Sequence, residues 1–441
     1  MNKKYTLFLS LTISLFLLNS CGKNNNETSA QLSQARTNIP YDSNIELGGE
    51  NGIVYYVDPR PEENGLNRAL RIDYLNWFYS ELPIKGINPH SIDRAGNSDK
   101  FYIRTQNSNS FDVVNFKTGS VKTVDMGTHK PRAIGATNLK YNLQLISVKN
   151  SQVVDVIDTK SDTIIASLGD ETETPGISTG HCLWFDEDHF GLVDRARLQI
   201  IVYKVVNEAG QLSFIETARV ATLTSLHAIE RVGKVKTGQD LVTFYANGEG
   251  DIAKGGSITP YVQELIFDPS NGTLTPQRSA VLAESTTVVQ GRPPITHHSR
   301  ISPDGKFLYA PVFDGKVYII NRSTMQVVKV LTAALGSAHV GFSKTLGLAI
   351  ISNHWSNEVT IIDLATQTVK KRLIISTTQV FHPEIPHLLQ PHFSYVGKNG
   401  KYFYTLATQD GDFLKINLET LEVERKLHVG GAPEQAHSKV L

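Results

Sequence analysis

Short apolar and β-branched runs recur along the chain, each bounded by glycine, proline, asparagine or aspartate, a pattern that predicts many short strands. The clearest unit runs from His298 to Leu331. Its apolar segments are Phe307-Leu308-Tyr309, Val317-Tyr318-Ile319-Ile320 and Val327-Val328-Lys329-Val330, with Ser299-Arg300-Ile301 ahead of them. Pro303-Asp304-Gly305 and Phe313-Asp314-Gly315 lie between these segments, and the first triplet sets a tight hairpin, because glycine accepts positive φ. Later copies follow as Gly347-Leu348-Ala349-Ile350-Ile351 with Val359-Thr360-Ile361-Ile362-Asp363, and as Lys401-Tyr402-Phe403-Tyr404 with Phe413-Leu414-Lys415-Ile416-Asn417. Earlier copies include Phe101-Tyr102-Ile103 and Gln152-Val153-Val154-Asp155-Val156-Ile157.

Four strands per unit, and strand starts about 40 to 55 residues apart except for the longer interval from His227 to His298, give the period of four-stranded propeller blades. The predicted fold is therefore all-β, a propeller over residues 45–441. Complete units run from His90 to His428. The segment Ala432 to Leu441 offers one strand more, and Ile45 to Leu75 offers the other three of an eighth blade, with Ile53-Val54-Tyr55-Tyr56-Val57 the best of them. Pairing the N- and C-terminal strands in one blade closes the ring and removes exposed edges. Eight blades are expected, with seven as the alternative.

The N-terminus reads differently. Lys3 and Lys4 precede a mostly apolar stretch from Tyr5 to Leu18, of signal-peptide length and too short to span a bilayer stably. It ends in Leu18-Asn19-Ser20-Cys21, which resembles the lipobox of bacterial lipoproteins, with Asn19 a minor departure. That resemblance implies a signal peptide over residues 1–20, lipidation at Cys21, a flexible polar tether over 21–44, and membrane attachment by lipid without a span. The expected location is the bacterial cell envelope, on the outer membrane facing the periplasm.

The 43 basic residues balance the 43 acidic ones, and no run of like charge stands out, which argues against nucleic-acid binding. Beyond Cys21 the sole cysteine is Cys182, expected to be a buried core thiol, so packing alone holds the fold.

The blade pattern is similar to bacterial YVTN-type and cytochrome-type propellers, which include the haem-binding propeller of nitrite reductases and the copper-cluster propeller of nitrous oxide reductases. In such propellers the first strand of each blade lines the central channel. Eight segments here read as equivalent strand starts, and seven carry a histidine at nearly the same place: His90, His181, His227, His298, His339, His392 and His437. The remaining one has Arg132, with His129 three residues earlier. Since strand residues alternate sides, a constant position implies a constant direction. His354, Asp194, Asp314 and Asp410 fall on turns expected at the same end.

Imidazole suits zinc and copper, so the candidate metal ligands are His181, His227, His298, His339, His354, His392 and His437, with the densest run from His298 to His437. Two alternatives stay open. One is a structural role, pinning adjacent blades; the other is an organic redox cofactor. His297 is expected to face away from His298 on a regular strand. His382 and His387 fall with His392 in a proline-broken loop, His189 and Asp188 at a solvated hairpin, and His428 at the surface.

A Cys-x-x-Cys-His for haem c, a cysteine pair for dinuclear copper and a Gly-x-Ser-x-Gly motif are all missing. A histidine-lined propeller without an electron relay is more distantly similar to periplasmic propeller zinc metallochaperones. This favours a carrier or sensor over a catalyst, with a metal transporter or another envelope protein as partner. The alternatives are a redox enzyme related to the nitrite and nitrous oxide reductases, and a lipid-tethered scaffold that binds protein or glycan.

Overall fold

The computed structural model describes residues 52–59, 67–95, 98–173, 177–231, 241–250, 259–289, 293–377 and 395–431. Cys21, His392, His437, His382 and His387 lie outside these residues, as do the signal and tether segments. All described residues belong to the compact unit Asn38–Leu441.

Eight antiparallel sheets follow one another in chain order, so the count is eight blades and the seven-bladed alternative falls. Seven sheets have four strands; they span 89–125, 131–173, 183–221, 226–281, 300–332, 337–374 and 395–428. The first sheet has three described strands, Ile53–Asp58, Arg68–Asp73 and Phe78–Pro83. Its third strand lies beyond the expected limit at Leu75, because Trp77, at φ 64°, turns the chain back only after Asp73. The pairing partner expected from residues 432–441 is outside the described region.

The ring closes through the first sheet. Trp77 Nε1 donates to the Lys426 carbonyl at 2.9 Å, and Arg68 Nη2 donates to the Val429 carbonyl at 2.9 Å. Tyr74 packs against Tyr404 with ring centres 4.5 Å apart. On its other side, Tyr55 packs on Phe101 at 4.3 Å.

Burial explains the strand sequences. The middle strands are sandwiched between neighbouring blades and bury both faces, as Leu143–Val148 and Leu348–Asn353 do. They accordingly read as near-continuous apolar runs. Outer strands bury one face, and Thr368–Ile374 alternates half-buried and exposed residues with period two. The core lies between blades: Val154 and Val156 pack with Trp184, Phe190 and Leu192 of the next blade, and Ile350 and Ile361 with Phe403 and Leu414. Cys182 is buried in the first of these clusters, where desolvation pushes its thiol up to about 12.

One turn recurs between the third and fourth strands. Asn115, Asp158, Asp268, Asn321, Asp363 and Asn417 each accept a backbone N–H from residues just ahead. This is the Asx turn that these side chains favour.

Candidate functional site

The histidine positions are built by irregular backbone. The residues Pro89/Ser91, Pro131/Ala133 and Leu226/Ala228 flank register shifts at the starts of their strands, so His90, Arg132 and His227 occupy bulges. A bulge re-aims a side chain and breaks simple alternation. In the strand Ser337–Ser343 the bulged residue is Ala338, and His339 is the next residue, paired with Ser352. His181 and His298 instead precede their strands, Leu183–Trp184 and Arg300–Ile301. Their backbones are equivalent: the His181 N–H donates to the His227 carbonyl and the His298 N–H to the Ala338 carbonyl, both at 3.2 Å. The matching sequence positions are thus three backbone situations, which nonetheless bring the rings of His181, His227, His298 and His339 into one cluster.

The same equivalence corrects the expectation for His297. Its N–H donates to Pro311 at 3.4 Å, as that of Gly180 does to Val193 at 2.9 Å. The His297-His298 pair therefore lies in the lead-in segment, where no pleat separates neighbouring side chains. Both rings enter the cluster, 4.6 Å apart.

Six histidines form one continuous group. His181 lies 5.0 Å from His227 and 5.5 Å from His298, centre to centre. His227 lies 4.0 Å from His297, and His298 stacks on His339 at 4.6 Å. His354, on the turn after Leu348–Asn353, is fully buried and lies 5.2 Å from both His297 and His339. Two triads could hold a metal ion: His181, His227 and His298, and His297, His298 and His339; within each, the donor atoms lie within 4.8 Å of one another. Beneath the second triad, Phe313 stacks on His297 at 5.0 Å and packs against Trp355.

Two carboxylates orient the first triad. Glu249 Oε1 accepts from His227 Nδ1 at 3.1 Å, and Glu230 Oε1 is bonded to His298 Nδ1. Each pairing places the Nδ1 proton towards the carboxylate and leaves Nε2 with its lone pair. His227 Nε2 is buried with no hydrogen-bond partner among the described residues. Leaving such a group unsatisfied costs about 1–3 kcal/mol, which a coordinated ion would remove.

Electrostatics keep three of the rings, those of His181, His227 and His297, neutral. Desolvation, helped by the neighbouring imidazoles, holds His181 and His297 well below the usual histidine range. His227 is pushed down to about 4, chiefly by burial, although Glu249 opposes the shift. Glu249 itself is lowered to about 2 despite burial, with Arg195 the largest favourable cause and His227 next. At neutral pH the rings of His181, His227 and His297 therefore present lone pairs, the form a metal requires.

Other candidates lie elsewhere. Asp194 bonds Arg197 and Gln199 of its own turn, while Asp314 bonds Ser285 and Lys316 and Asp410 accepts from the Thr377 N–H, so the last two also tie in the connection from the preceding blade. His129 pairs with Asp155 at 2.9 Å, and His428 is exposed, bonded to Asp412. His189 is buried rather than solvated, because its ring bonds Asp186 and packs edge-on against Phe267 of the next blade. Sequence reasoning missed Glu230, Glu249 and the inward placement of His297. Glu249 carried a usable signal, since it follows Val242–Gly248 on the same class of turn as Asp194 and His354.

No family model matches the sequence, and no curated protein does. Among solved structures the chain is similar to dihydro-heme d1 dehydrogenase NirN in complex with DHE, with a TM-score of 0.64 and 12% identity, covering 90% of this chain and 77% of that one. It is also similar to Saccharomyces cerevisiae Sqt1, with a TM-score of 0.56 and 10% identity, covering 78% of this chain and 86% of that one. At such identities the shared property is the propeller fold.

Proposed function

We propose that this propeller binds a transition metal, zinc or copper, through its channel histidines and serves as a carrier or sensor. The observation that carries the reading is the pair of carboxylate-backed imidazoles, His227 on Glu249 and His298 on Glu230, converging with His181. Carboxylate–histidine pairs of this kind orient metal ligands and raise their basicity. The donor spacing of up to 4.8 Å exceeds the roughly 3.4 Å between nitrogens on a tetrahedral ion with bonds of 2.0–2.1 Å, so loading would draw the rings inward by about an ångström. His392 and His437 remain candidates for further ligands on sequence grounds.

The Leu18-Asn19-Ser20-Cys21 segment supports placing this activity in the cell envelope, tethered through a lipid on Cys21, with a metal transporter or another envelope protein as partner. Capture would be by neutral imidazoles and release by acid, since protons compete for the same nitrogens. Elemental analysis of the protein purified without chelator or affinity tag tests the reading. Stoichiometric zinc or copper is expected; a protein that carries none and takes up neither would end it.

A second reading has one observation behind it. The guanidinium groups of Arg132 and Arg104 bear on His181. Nearby positive charge disfavours a bare divalent ion and suits an organic redox cofactor with acidic substituents, such as the heme d1 species for which the similar dehydrogenase is named. Visible absorption of the purified protein, or tight uptake of a haem-type ligand by metal-free protein, would favour this reading over the first.

A further inference from the structure

His298 belongs to both metal-competent triads, and its own chemistry limits what they can hold at once. An imidazole has two nitrogens. Nδ1 of His298 is committed to Glu230, which leaves the single lone pair on Nε2. One lone pair coordinates one ion. A bridging imidazole would need both nitrogens and would strip Glu230 of its partner.

We propose that the two triads are alternative positions for one transition-metal ion, which passes between them by exchanging His181 and His227 for His297 and His339 while His298 stays attached. The proposal rests on the metal reading above and adds its stoichiometry and route. Two metal–nitrogen bonds break and two form, all to neutral imidazoles, so neither the charge nor the oxidation state of the ion changes. One incoming donor is already adjacent to an outgoing ligand, and the other to the ligand that stays. His297 lies 4.0 Å from His227, centre to centre, and His339 stacks on His298 with the ring planes 18° apart. The route therefore crosses from the blades at 183–221 and 226–281 to those at 300–332 and 337–374 without releasing the ion to solvent.

The test is titration of metal-free protein with Zn²⁺ and with Co²⁺, comparing wild type with His181→Ala, His339→Ala and His298→Gln. Glutamine keeps an amide within reach of Glu230, and circular dichroism with thermal melting confirms that each variant folds. One ion per wild-type chain is expected. His181→Ala and His339→Ala should each retain one ion, with distinct Co²⁺ absorption spectra because each keeps a different triad. His298→Gln should lose affinity by on the order of 100-fold or more, since it removes the donor common to both. Two ions per wild-type chain, stoichiometric tight binding by His298→Gln, or loss of binding in His181→Ala with none in His339→Ala would each overturn the shared-ion proposal. A wild-type protein that binds neither ion would instead overturn the metal reading itself.

Discussion

Glu249 divides its two carboxylate oxygens between His227, whose Nδ1 lies 3.1 Å from Oε1, and the guanidinium of Arg195, which contacts Oε2. Arg195 is further tied at 3.3 Å to Ser178, and so is Arg132 at 3.1 Å. The orientation of a candidate ligand is thus set by side chains from three successive blades. Glu249→Gln should weaken zinc binding by about 10–100-fold, the usual effect of losing a carboxylate behind a ligating histidine. It should also leave the Arg195 charge without its buried partner, at a cost of about 3–5 kcal/mol. Chelator competition and urea unfolding on one preparation measure both effects. Unchanged zinc affinity in a folded variant would remove Glu249 from the site.

The metal-free protein should lose stability as the medium is acidified, in two steps. His227 has a folded value of about 4 against an ordinary 6.5, and His181 and His297 are lowered as well. Below about pH 6.5 the unfolded chain takes up protons that the folded chain refuses, so stability is full above that point and falls towards pH 4. For His227 alone the loss amounts to about 3 kcal/mol. Glu249, lowered from 4.5 to about 2, adds stability that is present above pH 4.5 and lost below it. Urea midpoints of metal-free protein between pH 8 and 4 should show the first step, with a shallower fall in His227→Gln. A flat profile from pH 7 to 5 would contradict the neutral cluster.

Much of the architecture was legible because each blade repeats the same local grammar. Pro303-Asp304-Gly305 does form the tight turn, with Gly305 at φ 75° and its N–H on the Ser302 carbonyl at 2.9 Å. Local signals of this kind survive in one dimension. The pairing of N- and C-terminal strands in one blade, expected from counting strands, rests on residues 432–441, outside the described residues; Trp77 on Lys426 is a contact between the first sheet and the last blade. The cluster was only half legible. His181, His227, His298, His339 and His354 were all singled out, and the structure brings them together. Period-two reasoning then failed at His297, because the pair precedes Arg300–Ile301 and is not pleated. Glu230 and Glu249 were hidden for another reason: Glu230 reaches a histidine 68 residues away on the next blade, and the bulge at His227 shifts the alternation that would have placed it. Spacing along the chain does not encode contacts between blades.

The recurring Asx turn yields a stability test away from the site. Four residues after the Asp or Asn, the chain enters the left-handed region, and glycine fills this place at Gly119 and Gly272, with φ 70° and 72°. Gln367 occupies the same place at φ 51° and Leu421 at φ 58°. A side chain there costs about 1–2 kcal/mol, partly offset by the greater chain entropy that glycine loses on folding. Gln367→Gly should therefore raise stability by about 0.5–1 kcal/mol, seen as a higher melting temperature. Leu421→Gly should gain nothing, because Leu421 packs against the core cluster of Ile350, Phe403 and Leu414. No gain at Gln367 would show that backbone strain is not the deciding factor there, and an equal gain at Leu421 would show that its packing contributes nothing.

Arg68 joins an ion-pair group within the first sheet to the last blade across the seam. It lies 2.9 Å from the fully buried Asp58, contacts Glu81 at 2.6 Å, and donates to the Val429 carbonyl of the last blade. Arg68→Met keeps the length of the side chain and removes every one of these contacts. It takes the Arg68 cation away from the buried Asp58 carboxylate, at a cost of about 3–5 kcal/mol. Because the loss falls at the closure, the seam should open before the remaining blades unfold. Limited proteolysis should then cut within residues 52–83 or near Val429 while the blades between 89 and 374 stay protected. Asp58→Asn/Arg68→Met, which also removes the Asp58 charge, should recover part of the loss, since the fully buried carboxylate is gone and Glu81 is partly exposed. Uniform cleavage around the ring, or no recovery in the double variant, would mean that the seam is held by packing such as Tyr74 on Tyr404 rather than by Arg68.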